Sequence, residues 1–150
     1  MDKKEIQDVT REYFKSIGFQ ILKKTKFYYE SKDLVIQVWM NHSNFSNTYY
    51  IDYYIRIKNF HPEISDITND KVWDTNFSRL TNNNDAFIVE YEKAESYMYI
   101  KELNQCVVKQ IMPIIEGGNK FLKDVSQNEK KYPYLYILFT NEALNFLKHV

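Results

Sequence analysis

The sequence has little of what most site chemistries are made from. It has one cysteine, Cys106, in 150 residues, which excludes an intramolecular disulfide and a thiolate zinc cluster. Three glycines, Gly18, Gly117 and Gly118, leave no phosphate-cradling glycine loop and no Gly-x-Ser-x-Gly nucleophile elbow. Prolines also number three, and no Pro/Gly/Ser-rich linker breaks the chain. An excess of either charge is missing too. Lys plus Arg and Asp plus Glu stand at 20 each, which argues against a basic nucleic-acid binder and against an acidic tail protein. Arginine is scarce, with Arg11, Arg56 and Arg79 the only three among 20 basic residues. No apolar run approaches the 18 or so residues of a membrane-spanning helix. Met1-Asp2-Lys3-Lys4-Glu5 is not followed by an apolar stretch, so no signal peptide is expected, and a reducing cytoplasm is the default location.

What the chain has in quantity is aromatic side chains. Thirteen Tyr, 10 Phe and 2 Trp make 17% of it. With 44% hydrophobic residues and a length typical of one domain, residues 1–150 are expected to form a single α+β unit with a real core.

The period of the apolar residues divides the chain. Ile6, Val9, Tyr13, Phe14 and Ile17 recur at three- and four-residue steps and predict a helix over 3–17, with Asp2 as cap and Gly18 beyond its end. The period then drops to two. Phe19–Lys23, Lys26–Glu30, Leu34–Met40 and Thr48–Lys58 read as strands of an antiparallel meander of about four to five strands. In Thr48–Lys58, Tyr49, Ile51, Tyr53, Ile55 and Ile57 point one way and are expected to lie under the first helix. Thr48, Tyr50, Asp52, Tyr54, Arg56 and Lys58 point the other way. Glu63–Leu80 has partly helical spacing, with Ile64, Ile67, Val72, Trp73, Phe77 and Leu80 inward. Ala86–Tyr91 reads as a short strand. Glu95–Ile115 reads as a helix, kinked or restarted at Pro113 and stopped at Gly117-Gly118. Asn119 can cap a following helix, and Thr140 or Asn141 a last one. Tyr134–Phe139 is an apolar run that periodicity alone leaves open between helix and strand.

The stretch 18–57 resembles an uncharacterised bacterial family, one of the domains of unknown function. The features that carry the resemblance are Gly18-Phe19, Lys23-Lys24, Phe27-Tyr28, Ile36-Gln37-Val38, Ser43 and Tyr50-Ile51. The order of features continues, more weakly, to Arg79-Leu80 and Ile111-Met112-Pro113. Thr25 stands where the family's hairpin usually has a glycine. The resemblance implies an antiparallel sheet packed on an N-terminal helix and C-terminal helices, with helix at 134–139. It implies no activity.

No constellation of catalytic type stands out. His42, His61 and His149 lie far apart and show no metal-ligand spacing. Asp66, Asp70 and Asp74 would share one helical face at four-residue steps, a pattern more typical of a solvated face than of a cation site. Cys106 falls in the apolar stripe of its helix, where a thiol is normally a small core hydrophobe. No catalytic residue, metal or cofactor is expected. The mixed strand face is the candidate binding surface, through Trp39, Tyr50, Asp52, Tyr54 and Arg56. The leading reading is a non-catalytic module that binds another protein, an antidote to a toxin being its concrete form. A small-ligand-binding protein or enzyme would use the same face, with Gln37 joining Asp52, Tyr54 and Arg56. A single-stranded nucleic-acid binder would stack bases on its aromatics, but charge neutrality weakens that reading. Covering of this face by the C-terminal helices, whose apolar segments must bury somewhere, is favoured over an open base-stacking surface.

Overall fold

The computed structural model describes all 150 residues and has the α+β architecture that the alternating periods predict. Helix α1 (Lys3–Ser16) opens the chain. Its first turn is closed by a capping box, in which the Asp2 carboxylate accepts the Glu5 N–H at 2.8 Å and the Glu5 side chain accepts the Asp2 N–H. Gly18 leaves the helix at φ 100°, where a side-chain-free residue is favoured.

Strands β1 (Gln20–Ile21), β2 (Lys26–Glu30), β3 (Leu34–His42) and β4 (Thr48–Ile57) then form an antiparallel meander. The outer edge of β4 pairs with two short strands, β5 (Ser78–Arg79) at Asp52–Tyr53 and β8 (Ile88–Glu90) at Thr48–Tyr50. Between them lies a separate hairpin of β6 (Thr81–Asn82) and β7 (Asp85–Ala86). Its turn residues Asn83 and Asn84 take φ values of 51° and 75°, which asparagine tolerates better than most side chains.

The β3–β4 register sets Leu34 opposite Ile57, Ile36 opposite Ile55, Val38 opposite Tyr53 and Met40 opposite Ile51. All eight are buried in one continuous core. That core also takes Ile6 and Phe14 of α1 and the buried residues of α2 (Ser96–Gln110), α3 (Met112–Gln127) and α5 (Asn141–Lys148). The odd-numbered face of β4 is therefore apolar, as its alternation requires, but α1 does not cover it alone. The C-terminal helices share that face, and their apolar stripes are used up there. They do not cover the mixed face.

One further expectation is corrected. Glu63–Leu80 contains no helix. After a single 3-10 turn at Lys58–Phe60 the chain runs irregularly to β5. Its carboxylates and backbone carbonyls bond to the sheet rather than along a helix, as detailed below. Gly117-Gly118 interrupts the helix as expected: Gly118 leaves the helical region at φ 55° and ψ −146°, and α3 is two helical segments meeting at this kink. The restart is capped from a distance, because the Asn119 N–H donates to the Asp33 carboxylate at 3.0 Å in the β2–β3 turn. A Cβ at Gly118 would fall inside contact distance of that same carboxylate. Residues 133–138 form the short helix α4 (Pro133–Leu138), on the helical side of the open choice, and Thr140 caps α5 through the Ala143 N–H.

Candidate functional site

The second face of the sheet is built from alternate residues of three strands. Tyr28 lies opposite Gln37, and Lys26 opposite Trp39. Gln37 pairs with Tyr54, Trp39 with Asp52, Val35 with Arg56 and Asn41 with Tyr50. A polar face of this kind needs hydrogen-bond partners if anything covers it. The cover is the irregular segment 61–77, which crosses the face as a strap, and three polar hubs hold it there.

Asp70 is the first hub. Its carboxylate accepts from Gln37, from the Tyr28 hydroxyl at 3.2 Å, and from Lys26 at 3.0 Å and Lys23 at 3.4 Å. Arg56 is the second. It is 2% exposed, and its guanidinium donates to the backbone carbonyls of Asn69 at 2.8 Å, Asp66 at 3.2 Å, Val72 at 3.3 Å and Ile67 at 3.4 Å. The Trp73 ring closes over it at 4.8 Å. Asp74 is the third. One oxygen accepts the Ile57 N–H at 2.6 Å, and the other bonds His61 Nε2 at 2.7 Å. Asp66 turns away, accepting the Thr68 N–H at 2.9 Å and its hydroxyl at 2.8 Å. The three aspartates at four-residue spacing thus go to three different destinations and form no common ligand set.

Asp52 and Arg56 do not meet, as their separation along one strand dictates. Asp52 is fully buried. It accepts from Arg79 Nε at 2.7 Å and from the Asn41 amide at 2.9 Å. The Arg79 guanidinium also lies 3.8 Å from the centre of the Tyr50 ring and 4.8 Å from that of Phe77. Sequence reasoning missed Arg79 and Phe77 as parts of this face. The signal that could have found Arg79 is the buried Asp52, which needs a cation, since only two other arginines exist.

The strap changes what this face offers. The polar groups of Gln37, Asp52 and Arg56 are engaged inside the chain. Trp39, Tyr50 and Tyr54 are half-buried at the strap's margins, and burial, followed by the Asp52 charge, raises the Tyr54 pKa. Fully open are Phe77, 57% exposed, and Ile88, 52% exposed, which lies beside Tyr50 in the register. What remains is a compact margin of aromatic and aliphatic side chains around one anchored arginine. The face is no longer a continuous platform on which successive bases could stack.

An α1-led antiparallel sheet with helices on one face and an irregular strap on the other defines an α+β protein whose mixed face is largely internal. The chain belongs to the family described as Domain of unknown function (DUF4304), whose model matches residues 10–117. No curated protein and no solved structure matches it. No helix is long and apolar enough to cross a membrane.

Proposed function

We propose that this chain is a non-catalytic protein-interaction module acting in the cytoplasm, and in its concrete form an antidote to a bacterial toxin. The observation that carries the reading is Arg79, set close to both Tyr50 and Phe77 and bonded to the buried Asp52. Arginine and large aromatics are the residues that most often anchor protein interfaces, and they do so best when their conformation is fixed before binding. Trp39 and Tyr54 extend the contact area along the face. Asp52 and Arg56 serve it from below, the first by orienting Arg79 and the second by holding the strap that leads to Phe77.

The test is reconstitution with the protein encoded by the neighbouring gene. The two chains should co-elute as a stoichiometric complex, and co-expression should relieve any growth defect that the neighbour causes. Phe77→Ala combined with Ile88→Ala should abolish both effects and leave the thermal midpoint essentially unchanged, because both side chains are exposed. A complex that survives the double substitution, or no complex at all, overturns the reading.

A further inference from the structure

A cavity of about 610 Å³ opens beside Tyr53 of β4, between α2, the Asn82–Asn84 turn and α4. Its walls are Gln105, Cys106, Lys109 and Gln110 of α2, the Asn82–Asn84 turn, and most of the segment from Lys131 to Leu138. Tyr53 of β4 lines it. The volume is within the usual range for small-molecule sites, roughly 300–1,000 Å³.

Tyr53 is the informative residue. It is 3% exposed, yet its hydroxyl has no hydrogen-bond partner in the chain. The other buried tyrosine hydroxyls with which it can be compared are all engaged. Tyr49 takes the Gln7 amide at 2.7 Å, Tyr99 pairs with Thr10 at 2.7 Å, and Tyr28 bonds Asp70. A buried tyrosine normally finds such a partner; this hydroxyl is left to face the cavity that Tyr53 lines. Burial pushes the Tyr53 pKa up to about 12, so at neutral pH it is a hydrogen-bond donor.

The charge around the cavity points the same way. In a chain with equal numbers of acids and bases, no carboxylate lines it. Lys109 and Lys131 do. Lys109 has no ion-pair partner, and Lys131 makes one long ion pair, with Asp124 at 3.8 Å. Arg79 also lines the cavity, with its Nε and Nη2 bonded to Asp52. The amides of Asn82 and Gln105 make no hydrogen bond within the chain. Tyr132 and Tyr134 supply flat apolar surface.

From this combination we propose that the cavity binds a small planar organic anion of nucleoside-monophosphate type. Its phosphate would lie at Lys109 and Lys131, its ring against the tyrosines, and its polar edge within reach of Tyr53 and the amides. Lysines act here as point charges for the phosphate, and aromatic faces stack on any base. The two proposals share Arg79 but use different residues in their tests, Phe77 and Ile88 there and Tyr53, Lys109 and Lys131 here, so either can fail alone.

The probes are the four common nucleoside monophosphates, the matching uncharged nucleosides and inorganic phosphate, titrated calorimetrically into the full chain. At least one nucleotide should bind at least tenfold more tightly than its nucleoside and than phosphate. Lys109→Gln with Lys131→Gln should weaken it tenfold or more, and Tyr53→Phe severalfold. Phe77→Ala should leave it unchanged. Without ligand, Tyr53→Phe should melt at or above the wild-type midpoint, because it removes an unpartnered hydroxyl. Three results would each overturn the proposal. One is no nucleotide binding up to millimolar concentration, and another is binding indifferent to both sets of substitutions. The third is a Tyr53→Phe variant that melts clearly lower, which would give the hydroxyl an internal structural role.

Discussion

Arg56 brings a positive charge to a position 2% exposed, and no carboxylate lies within ion-pair distance. Burial lowers its pKa, opposed by the charges of Asp74, Asp70 and Asp66, and a guanidinium remains protonated regardless. Its stabilisation comes from four backbone carbonyls and the Trp73 ring. This fixes the size of the expected mutational effect. Removing one member of a buried ion pair costs about 3–5 kcal/mol, because a charge is left stranded. Arg56→Ala leaves only neutral carbonyls behind, and several of them can turn to water as the strap loosens. A loss of about 1.5–3 kcal/mol is expected in urea denaturation, the scale of hydrogen bonds to a charged group. A loss below about half a kcal/mol would mean that Asp70 and Asp74 hold the strap without it.

At the scale of elements, local signals were legible and distant ones were not. The alternation in Leu34–Met40 and Thr48–Lys58 gave strands β3 and β4 and the correct faces, because a one-residue slip would have buried Asp52 and Arg56 among Ile51, Tyr53 and Ile55. The Asp2 and Thr140 caps were legible because each cap and its target lie within three residues. The strap was not, since Ile64, Ile67, Val72 and Trp73 happen to recur at helical steps. What keeps it irregular are bonds from Asp70 to residues 33–47 positions away. Tyr53 likewise reads as plain core in sequence; only the packed structure shows its hydroxyl unpartnered. Local carboxyl-to-backbone bonds also contribute to the acid dependence of the fold. Backbone N–H groups hold the carboxyls of Asp2, Asp66 and Glu95 below the usual range, through Glu5, Thr68 and Tyr97 respectively. The unfolded chain therefore binds more protons in acid than the folded one, and stability rises with pH there. This contribution is complete above about pH 5, beyond the unfolded carboxylate range. It is lost as pH falls through the lower folded values. Glu95→Gln should flatten the acid side of a plot of thermal midpoint against pH and leave its neutral plateau nearly level. An unchanged acid slope would show that the α2 cap adds nothing.

On the scale of the whole molecule, the matched family region stops at residue 117, inside α3, yet the core does not stop there. Leu122, Val125, Phe139, Leu144 and Leu147 are all buried, and all but Val125 belong to the one continuous core. Each such side chain contributes about 1.5–3 kcal/mol, against a net stability of about 5–15 kcal/mol for a typical domain. A chain of residues 1–117 is therefore expected not to fold, with no near-ultraviolet circular dichroism and no cooperative melt. A cooperative transition in that fragment would make the C-terminal helices an accessory layer.

The strap is gripped by its carbonyls. Arg56 touches the main chain of Asp66, Ile67, Asn69 and Val72, so that part of the clamp is blind to which side chains those positions carry. Pro62, Glu63, Ser65 and Lys71 face outward. The path of the segment and the chemistry it displays are in this way separable. Mutation can rewrite the outward lettering of the strap while the sheet beneath, and the arginine that holds it, stay as they are.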